Sequence, residues 1–390
     1  MITVAEAHAL LAGLVAPLEM EQVPLAEAHG RVLARDISAG RDQPPFAASS
    51  MDGYAIKAAE AELHAMFRVI GESAAGHRFS GALGAGQAVR IFTGAPVPEG
   101  ADFVVIQENV SAKGDLITIT DGPGVKSNIR PAGVDFRKGM TLAAPRLLRP
   151  ADIALLAAMN HDRVPVTRRP KVALIATGDE LVMPGERPGA DQIIASNTFG
   201  LQAMLAEAGA QPRLLPVARD SYASLATAFD LAQGADLVIT VGGASVGDHD
   251  LVGEVAAGLG MERAFYKVAM RPGKPLMAGR LAGAAMVGLP GNPVSAMVCG
   301  YLFILPMIRA MLGLGADLPA LKQARLNAAL ERNGPREHYL RARVEADRVT
   351  AFENQDSSLL TVLSEANALL VRPADDGPRA AGEMVNYLPL

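Results

Sequence analysis

Lys171-Val172-Ala173-Leu174-Ile175-Ala176-Thr177-Gly178-Asp179-Glu180 is a nearly continuous apolar run that ends in a small, acidic turn. Three later stretches repeat that design. Residues 214–217 lead into Ala218-Arg219-Asp220. Residues 236–241 lead into Gly242-Gly243-Ala244-Ser245-Val246-Gly247-Asp248-His249-Asp250. Residues 285–289 lead into Pro290-Gly291-Asn292-Pro293-Val294-Ser295. Helical stretches at 198–208, 221–232 and 294–311 separate them. Apolar strands alternating with helices predict a doubly wound parallel sheet covered by helices on both faces, here spanning 169–316.

In such a sheet a ligand binds beyond the carboxyl ends of the strands, where successive loops converge. The candidate site residues are therefore Thr177, Gly178, Glu180, Asp220, Gly242, Gly243, Ser245, Gly247, Asp250, Pro290, Gly291, Asn292, Pro293 and Ser295. Glycines let backbone N–H groups approach a phosphate, and a helix N-terminus favours an anion. Asn292 before Pro293 reads as an N-cap with proline at the first helical position. Glu180, Asp220 and Asp250, gathered at one edge, are candidate Mg²⁺ ligands, because Mg²⁺ takes one or two carboxylates together with phosphates and waters. Lys267, Arg271 and Lys274, in Lys267-Val268-Ala269-Met270-Arg271-Pro272-Gly273-Lys274-Pro275, form the local basic segment that an anionic ligand needs.

The flanking sequence has a different texture. Residues 1–36 read as helical, with Val4, Ala7, Leu10, Leu11 and Leu14 at helical spacing and a second segment at 25–34. After Gln43-Pro44-Pro45-Phe46, short apolar runs at 67–70, 88–92, 103–106 and 116–119, separated by Gly, Pro and Asp, predict an inserted β-rich domain. Helix returns at 147–159, and alternation at 339–344 predicts a small β domain at the C-terminus. The expected layout is 1–45 with 141–168 as an elongated helical domain, 46–140 as the insertion, 169–316 as the α/β domain and 317–390 as a β-barrel-like domain.

Composition narrows the function. The 390 residues carry 36 Lys+Arg against 41 Asp+Glu, a formal net charge of -5, which argues against a nucleic-acid binder. Trp is absent and aromatic residues make up 4%, so base-stacking platforms are scarce. The one cysteine, Cys299, can form neither an internal disulfide nor a zinc site, which points to a reducing, cytoplasmic setting. The apolar stretch 294–308 contains Pro306 and falls short of the roughly 20 residues that span a bilayer, so no membrane association is expected. Gly273-Lys274 is followed by proline rather than Ser or Thr, which excludes a P-loop. The glycines at 81–86 do not form a dinucleotide fingerprint, and the seven histidines show no metal-ligand spacing.

At these residues the sequence resembles the molybdopterin molybdenumtransferases, called MoeA in bacteria and corresponding to the E domain of gephyrin. The matching segments run in family order: Pro44-Pro45-Phe46 through Met51-Asp52-Gly53-Tyr54-Ala55, Phe92-Thr93-Gly94-Ala95, Asn128-Ile129-Arg130 with Asp135, Thr177-Gly178-Asp179-Glu180-Leu181, the 242–247 glycine loop, Pro272-Gly273-Lys274-Pro275 and Leu289-Pro290-Gly291-Asn292-Pro293. The resemblance implies an elongated homodimer of four-domain subunits whose α/β domain is MogA-like. It implies Mg²⁺-dependent insertion of molybdate into adenylylated molybdopterin with release of AMP. The dithiolene that receives the metal belongs to the pterin, so no protein cysteine is required.

The resemblance further implies a site between the α/β domain of one subunit and the insertion of the other. It adds Asp52, Thr93, Arg130 and Asp135 to the site and makes Asp52, Thr93, Asp135, Glu180, Asp250 and Lys274 the catalytic set. Implied partners are the molybdopterin adenylyltransferase and the molybdoenzymes or chaperones that accept the cofactor. Ala47, Ala48, Val134 and Arg271 depart from the family pattern. A delivery protein without catalysis and a tungstate-inserting homologue are the alternative readings.

Overall fold

The computed structural model describes residues 1–242, 251–318 and 320–390. Its central sheet, one of three with six strands among the described residues, runs in the order Gln211–Leu214, Lys171–Ala176, Leu237–Val241, Ala284–Leu289, Met277–Leu281, Glu262–Tyr266. The first four strands are parallel. The last two are antiparallel, so the expected parallel sheet carries an antiparallel edge. The cause is local. Ala282 and Gly283 both take positive φ, 49° and 86°, which closes a two-residue hairpin between Leu281 and Ala284.

Alternate residues of Lys171–Ala176 enter opposite cores, which is why the run is apolar throughout. Val172 and Leu174 pack with Leu201, Leu205 and Phe303 on one face. Ala173 and Ile175 pack with Leu225, Phe229 and Val255 on the other. The edge strand forms at Gln211–Leu214 rather than at 214–217, because it pairs only with 171–174 before the chain turns toward the Thr177–Ala218 bridge. Helices Asn197–Glu207 and Tyr222–Leu231 match the periodicity closely.

The helical rod from Pro293 to Met311 is α-helical, then π-helical at Gly300–Ile304, then α-helical again. At 19 residues and a mean hydropathy of 1.7 it is longer than the 294–308 stretch suggested and has the length and composition of a bilayer span, yet 78% of it is buried inside the protein.

The N-terminal helix Val4–Ala12 starts in a capping box between Thr3 and Glu6. Its Val4, Ala7 and Leu11 sit in the α/β core beside Phe303 and Ile308, so this helix belongs to that core and not to a separate helical rod. The helix expected at 25–34 is a single 3-10 turn, Leu25–Glu27, followed by the strand Val32–Leu33. Pro24 and the positive-φ Gly30 bracket that turn and prevent its extension. The region expected to be a helical domain is instead a four-stranded antiparallel sheet, Met20–Pro24, Arg163–Thr167, Val32–Leu33 and Arg146–Leu147, accompanied by the helix Pro150–Ala158.

The inserted β-rich region is a six-stranded sheet containing Met66–Ser73, Gln87–Ile91, Phe103–Ile106 and Leu116–Ile119, the four runs anticipated. At the C-terminus, Glu337–Glu345, Arg348–Ala351, Lys322–Leu326, Met384–Pro389 and Ala368–Arg372 pair in that order, and the last returns to the first, closing a five-stranded barrel. The short strand Met270–Arg271 adds to the edge of Glu337–Glu345, joining the α/β region to the barrel through backbone pairing.

Candidate functional site

The strands Lys171–Ala176, Leu237–Val241 and Ala284–Leu289 end side by side, and their loops interlock. Thr177 N–H donates to Val241 O at 3.0 Å, Gly178 N–H to Ala218 O at 3.1 Å and Gly242 N–H to Leu289 O at 3.2 Å. Gly242 has φ +102°, and a Cβ there would lie 2.5 Å from Thr177 O, so this close approach admits only glycine. Beyond the strand ends is a cavity of about 630 Å³, lined by Thr177, Gly178, Glu180, Asp220, Gly242, Pro290, Gly291, Asn292 and Pro293. The convergence read from the sequence is therefore real for these nine residues.

Ser196, Asn197, Thr198 and Ser358 also line the cavity, as do Ile193, Ile194 and Pro275. Two helices begin on its wall, Asn197–Glu207 and the rod starting at Pro293. The Asn197 side chain donates to Gly291 O at 2.7 Å and ties the two starts together. Paired helix N-termini concentrate positive partial charge at one place, a natural seat for an anion. Thr177 is 2% exposed, and its hydroxyl oxygen has no hydrogen-bond partner among the described residues. A buried hydroxyl in that state is a ready donor for a phosphate oxygen.

Asn292 occupies the N-cap position, but its side chain does not cap. It donates instead to Ser357 Oγ at 3.0 Å, while Val294 N–H donates to Ser357 O at 3.0 Å. The barrel thus sends a loop to the rim, and Asp356 fastens it by accepting from the Ser358 N–H and hydroxyl at 2.8 and 2.6 Å. Arg341, 1% exposed, donates to Gln355 Oε1, Leu359 O and Asn354 O behind that loop. Sequence reading missed Ser196, Asn197, Ser357 and Ser358. The one local trace is a cluster of small polar residues at a helix start, at 196–198, and shortly before one, at 356–358, which by itself names no partner.

Glu180 and Asp220 are exposed at the rim, and neither has an ion-pair partner among the described residues. Among those residues no group of three His, Cys, Asp or Glu could enclose a metal. Two unpaired carboxylates on a cavity that suits phosphate do fit Mg²⁺, which completes its shell with phosphate oxygens and water. Gly243, Ser245, Gly247 and Asp250 lie outside the described residues. Ser295 is buried and does not line the cavity.

The basic segment folds back beside the cavity, and only its Pro275 lines the wall. Lys267 sits at φ +69°, with its ammonium 4.7 Å from the centre of the Tyr266 ring. Lys274 O accepts from Val268 and Leu276 N–H. Arg271 is exposed on the strand that joins the barrel, opposite His338. At Gly273, φ is +107° and a Cβ would lie 2.6 Å from Cys299 Sγ, so the turn carrying Lys274 is seated directly on that buried thiol.

Asp52, Thr93, Arg130 and Asp135 do not line the cavity of their own chain. Asp52 accepts from Thr93 N–H at 2.8 Å and from its hydroxyl at 2.9 Å. Those bonds, with the nearby Arg90 guanidinium, hold the carboxyl below the usual carboxylate range. Arg130 pairs in a short strand with Ala48. Asp135 is exposed, and its N–H donates to Gln43 O. One chain therefore presents two separate groups of candidate residues.

Comparison with known proteins gives a consistent result along the chain. Residues 2–160 match the MoeA N-terminal region (domain I and II), 173–310 a probable molybdopterin binding domain, and 323–390 the MoeA C-terminal region (domain IV). The chain is 34% identical over 410 residues to a molybdopterin molybdenumtransferase of Nostoc sp., covering 100% of this chain and 94% of that one. It is 35% identical to the Haemophilus influenzae protein of the same name, covering 100% and 98%. A crystal structure of a molybdopterin biosynthesis MoeA protein from Pyrococcus horikoshii superposes with a TM-score of 0.87 at 30% identity, covering 100% of this chain and 99% of that one.

Proposed function

The chain belongs to the molybdopterin molybdenumtransferase family of molybdenum cofactor biosynthesis, and from that premise we propose that it inserts molybdate into adenylylated molybdopterin and releases AMP in a Mg²⁺-dependent reaction in the cytoplasm. The observation that carries the reading is the cavity of about 630 Å³ where the strand-end loops and two helix N-termini meet, with unpaired Glu180 and Asp220 at its rim. Its size suits a nucleotide-like substrate.

In this reading the helix starts at Asn197 and Pro293, the glycine loops and the Thr177 hydroxyl bind and orient the phosphates. Glu180 and Asp220, with Asp250, would hold Mg²⁺, which neutralises charge developing on the phosphoanhydride as it is cleaved. Lys267, Arg271 and Lys274 supply fixed cations beside the cavity for the oxyanion. Asp52, kept ionised by its bonds from Thr93, brings a fixed negative charge and hydrogen-bond acceptor to the reacting centre. Because Asp52, Thr93, Arg130 and Asp135 lie away from the cavity of their own chain, we place them over the cavity of a second copy in a homodimer. Adenylyltransferase on the supply side and molybdoenzymes or their chaperones on the acceptor side are the partners this chemistry requires.

The test is a time course of AMP release by purified protein with adenylylated molybdopterin, Mg²⁺ and molybdate. Molybdate-dependent AMP release is expected. Tight pterin binding with no molybdate-dependent AMP would replace the enzyme reading with a delivery role.

A further inference from the structure

Arg90 lies in the strand Gln87–Ile91, directly across from Tyr54. Its guanidinium lies over two rings, 5.0 Å from the centre of Tyr54 and 4.7 Å from that of Phe92. One terminal nitrogen donates to Gly53 O at 3.1 Å and the other to Gln107 Oε1 at 2.6 Å. Three of these four partners adjoin or bond Asp52 or Thr93. Gly53 follows Asp52 and Phe92 precedes Thr93 in the chain. Gln107 donates its backbone N–H to Asp52 O at 3.0 Å. Asp52 in turn accepts from the Thr93 N–H and hydroxyl.

Among the described residues Arg90 forms no ion pair. Two of its guanidinium nitrogens donate to neutral acceptors of its own chain, and two rings of that chain lie within cation–π range. A cation arranged this way is not a solvated strand residue, and its named donors are turned to its own fold rather than outward to a ligand. The arrangement needs a planar, forked cation that can stack and donate at once, which a lysine ammonium cannot reproduce.

We propose that Arg90 is the positioning residue of the Asp52–Thr93 pair, one guanidinium that clamps segments 52–54, 92–93 and residue 107 into a single register. The proposal rests on the reading above that Asp52 belongs to the reacting centre. Arg90 acts through Asp52, so its loss falls on kcat and leaves KM nearly untouched.

A double-mutant cycle on the full chain, read by molybdate-dependent AMP release and a thermal melt, tests this. Asp52→Asn is expected to lower kcat about 100-fold and Arg90→Met about 10-fold, with KM within about 2-fold. Adding Arg90→Met to Asp52→Asn is expected to cost less than about 3-fold more, because the residue it positions is already gone. If Arg90→Met costs its full factor in the Asp52→Asn background, or acts on KM alone, the positioning role is wrong while the functional reading stands. If Asp52→Asn turns over normally, the functional reading of Asp52 falls and the proposal with it. Should Arg90→Met melt early, Arg90→Lys takes its place in the cycle. It is expected to melt like the wild type and still lose about 10-fold in kcat, and full turnover by Arg90→Lys overturns the proposal.

Discussion

The two ends of the central sheet use the same residue types in opposite ways. At the amino end Asp236 is saturated. It accepts two bonds from the Arg168 guanidinium, both at 2.9 Å, and one from Lys171 N–H at 2.7 Å, while Arg168 also binds Glu19. At the carboxyl end Glu180 and Asp220 are exposed, and no cation pairs with them among the described residues. An acid with both oxygens engaged holds chain segments together, whereas an acid left open beside helix N-termini and a cavity is available to a ligand. Position at the strand ends, and not acidity, separates the two.

Substitutions at the two ends should therefore separate activity from stability. Glu180→Gln is expected to lower kcat/KM for AMP release roughly 100-fold, the order seen when one electrostatic stabiliser of a reacting centre is removed. Its melting temperature should match the wild type. Asp236→Asn is expected to do the reverse, costing about 2 kcal/mol in a urea titration by leaving the half-buried Arg168 short of a partner. Turnover per folded molecule should be preserved. A Glu180→Gln protein that is unstable but active would abolish the contrast.

Much of this contrast was legible in the sequence because one rule, strand-end loops in an open sheet, points at Thr177, Gly178, Glu180, Asp220, Gly242 and Gly291 before any coordinates. The rim supplied by Ser357 and Ser358 was not, since Ser357 lies 65 residues from the Asn292 to which it bonds. No local pattern announces which barrel loop will reach a neighbouring sheet. The helix expected at 25–34 failed for a local reason, with Pro24 and Gly30 outweighing apolar spacing. The antiparallel edge escaped because its signal is two residues, Ala282 and Gly283, whose hairpin geometry depends on backbone angles.

The barrel seam sharpens the comparison with a third kind of charge control. Burial, reinforced by Arg271, Arg336, Arg372 and Arg341, pushes the His338 imidazole down from 6.5 to about 4. A base held neutral in the fold but free to protonate when unfolded gives stability that is complete above pH 6.5. That stability is lost progressively as pH falls from 6.5 toward 4. After allowance for solvent screening the loss amounts to about 1–2 kcal/mol. His338→Gln is expected to flatten the melting temperature between pH 6.5 and 4. Asp236 differs in window: burial opposes its ionised form, but Arg168 and the Lys171 amide outweigh that and hold it below the ordinary range. Its contribution is present above about pH 4 and fades only below that. If His338→Gln retains the wild-type slope from 6.5 to 4, the seam is not where that pH dependence resides.

The smallest expected effect concerns the thiol beneath the basic turn. Cys299 lies close to Lys274 in the fold, yet it is completely buried under Gly273, and burial pushes its thiol up to about 12. Thiolate is the reactive form, so nearness to cations gives this cysteine no nucleophilic character. Iodoacetamide at pH 8 should leave the native protein unmodified by mass and unchanged in AMP release, while urea-unfolded protein takes up one equivalent. Cys299→Ala should retain turnover within about 2-fold, its cost confined to the packing of a small side chain. Rapid alkylation of the native protein would place Cys299 with the open acids at the sheet's carboxyl end instead of with the saturated groups of the core.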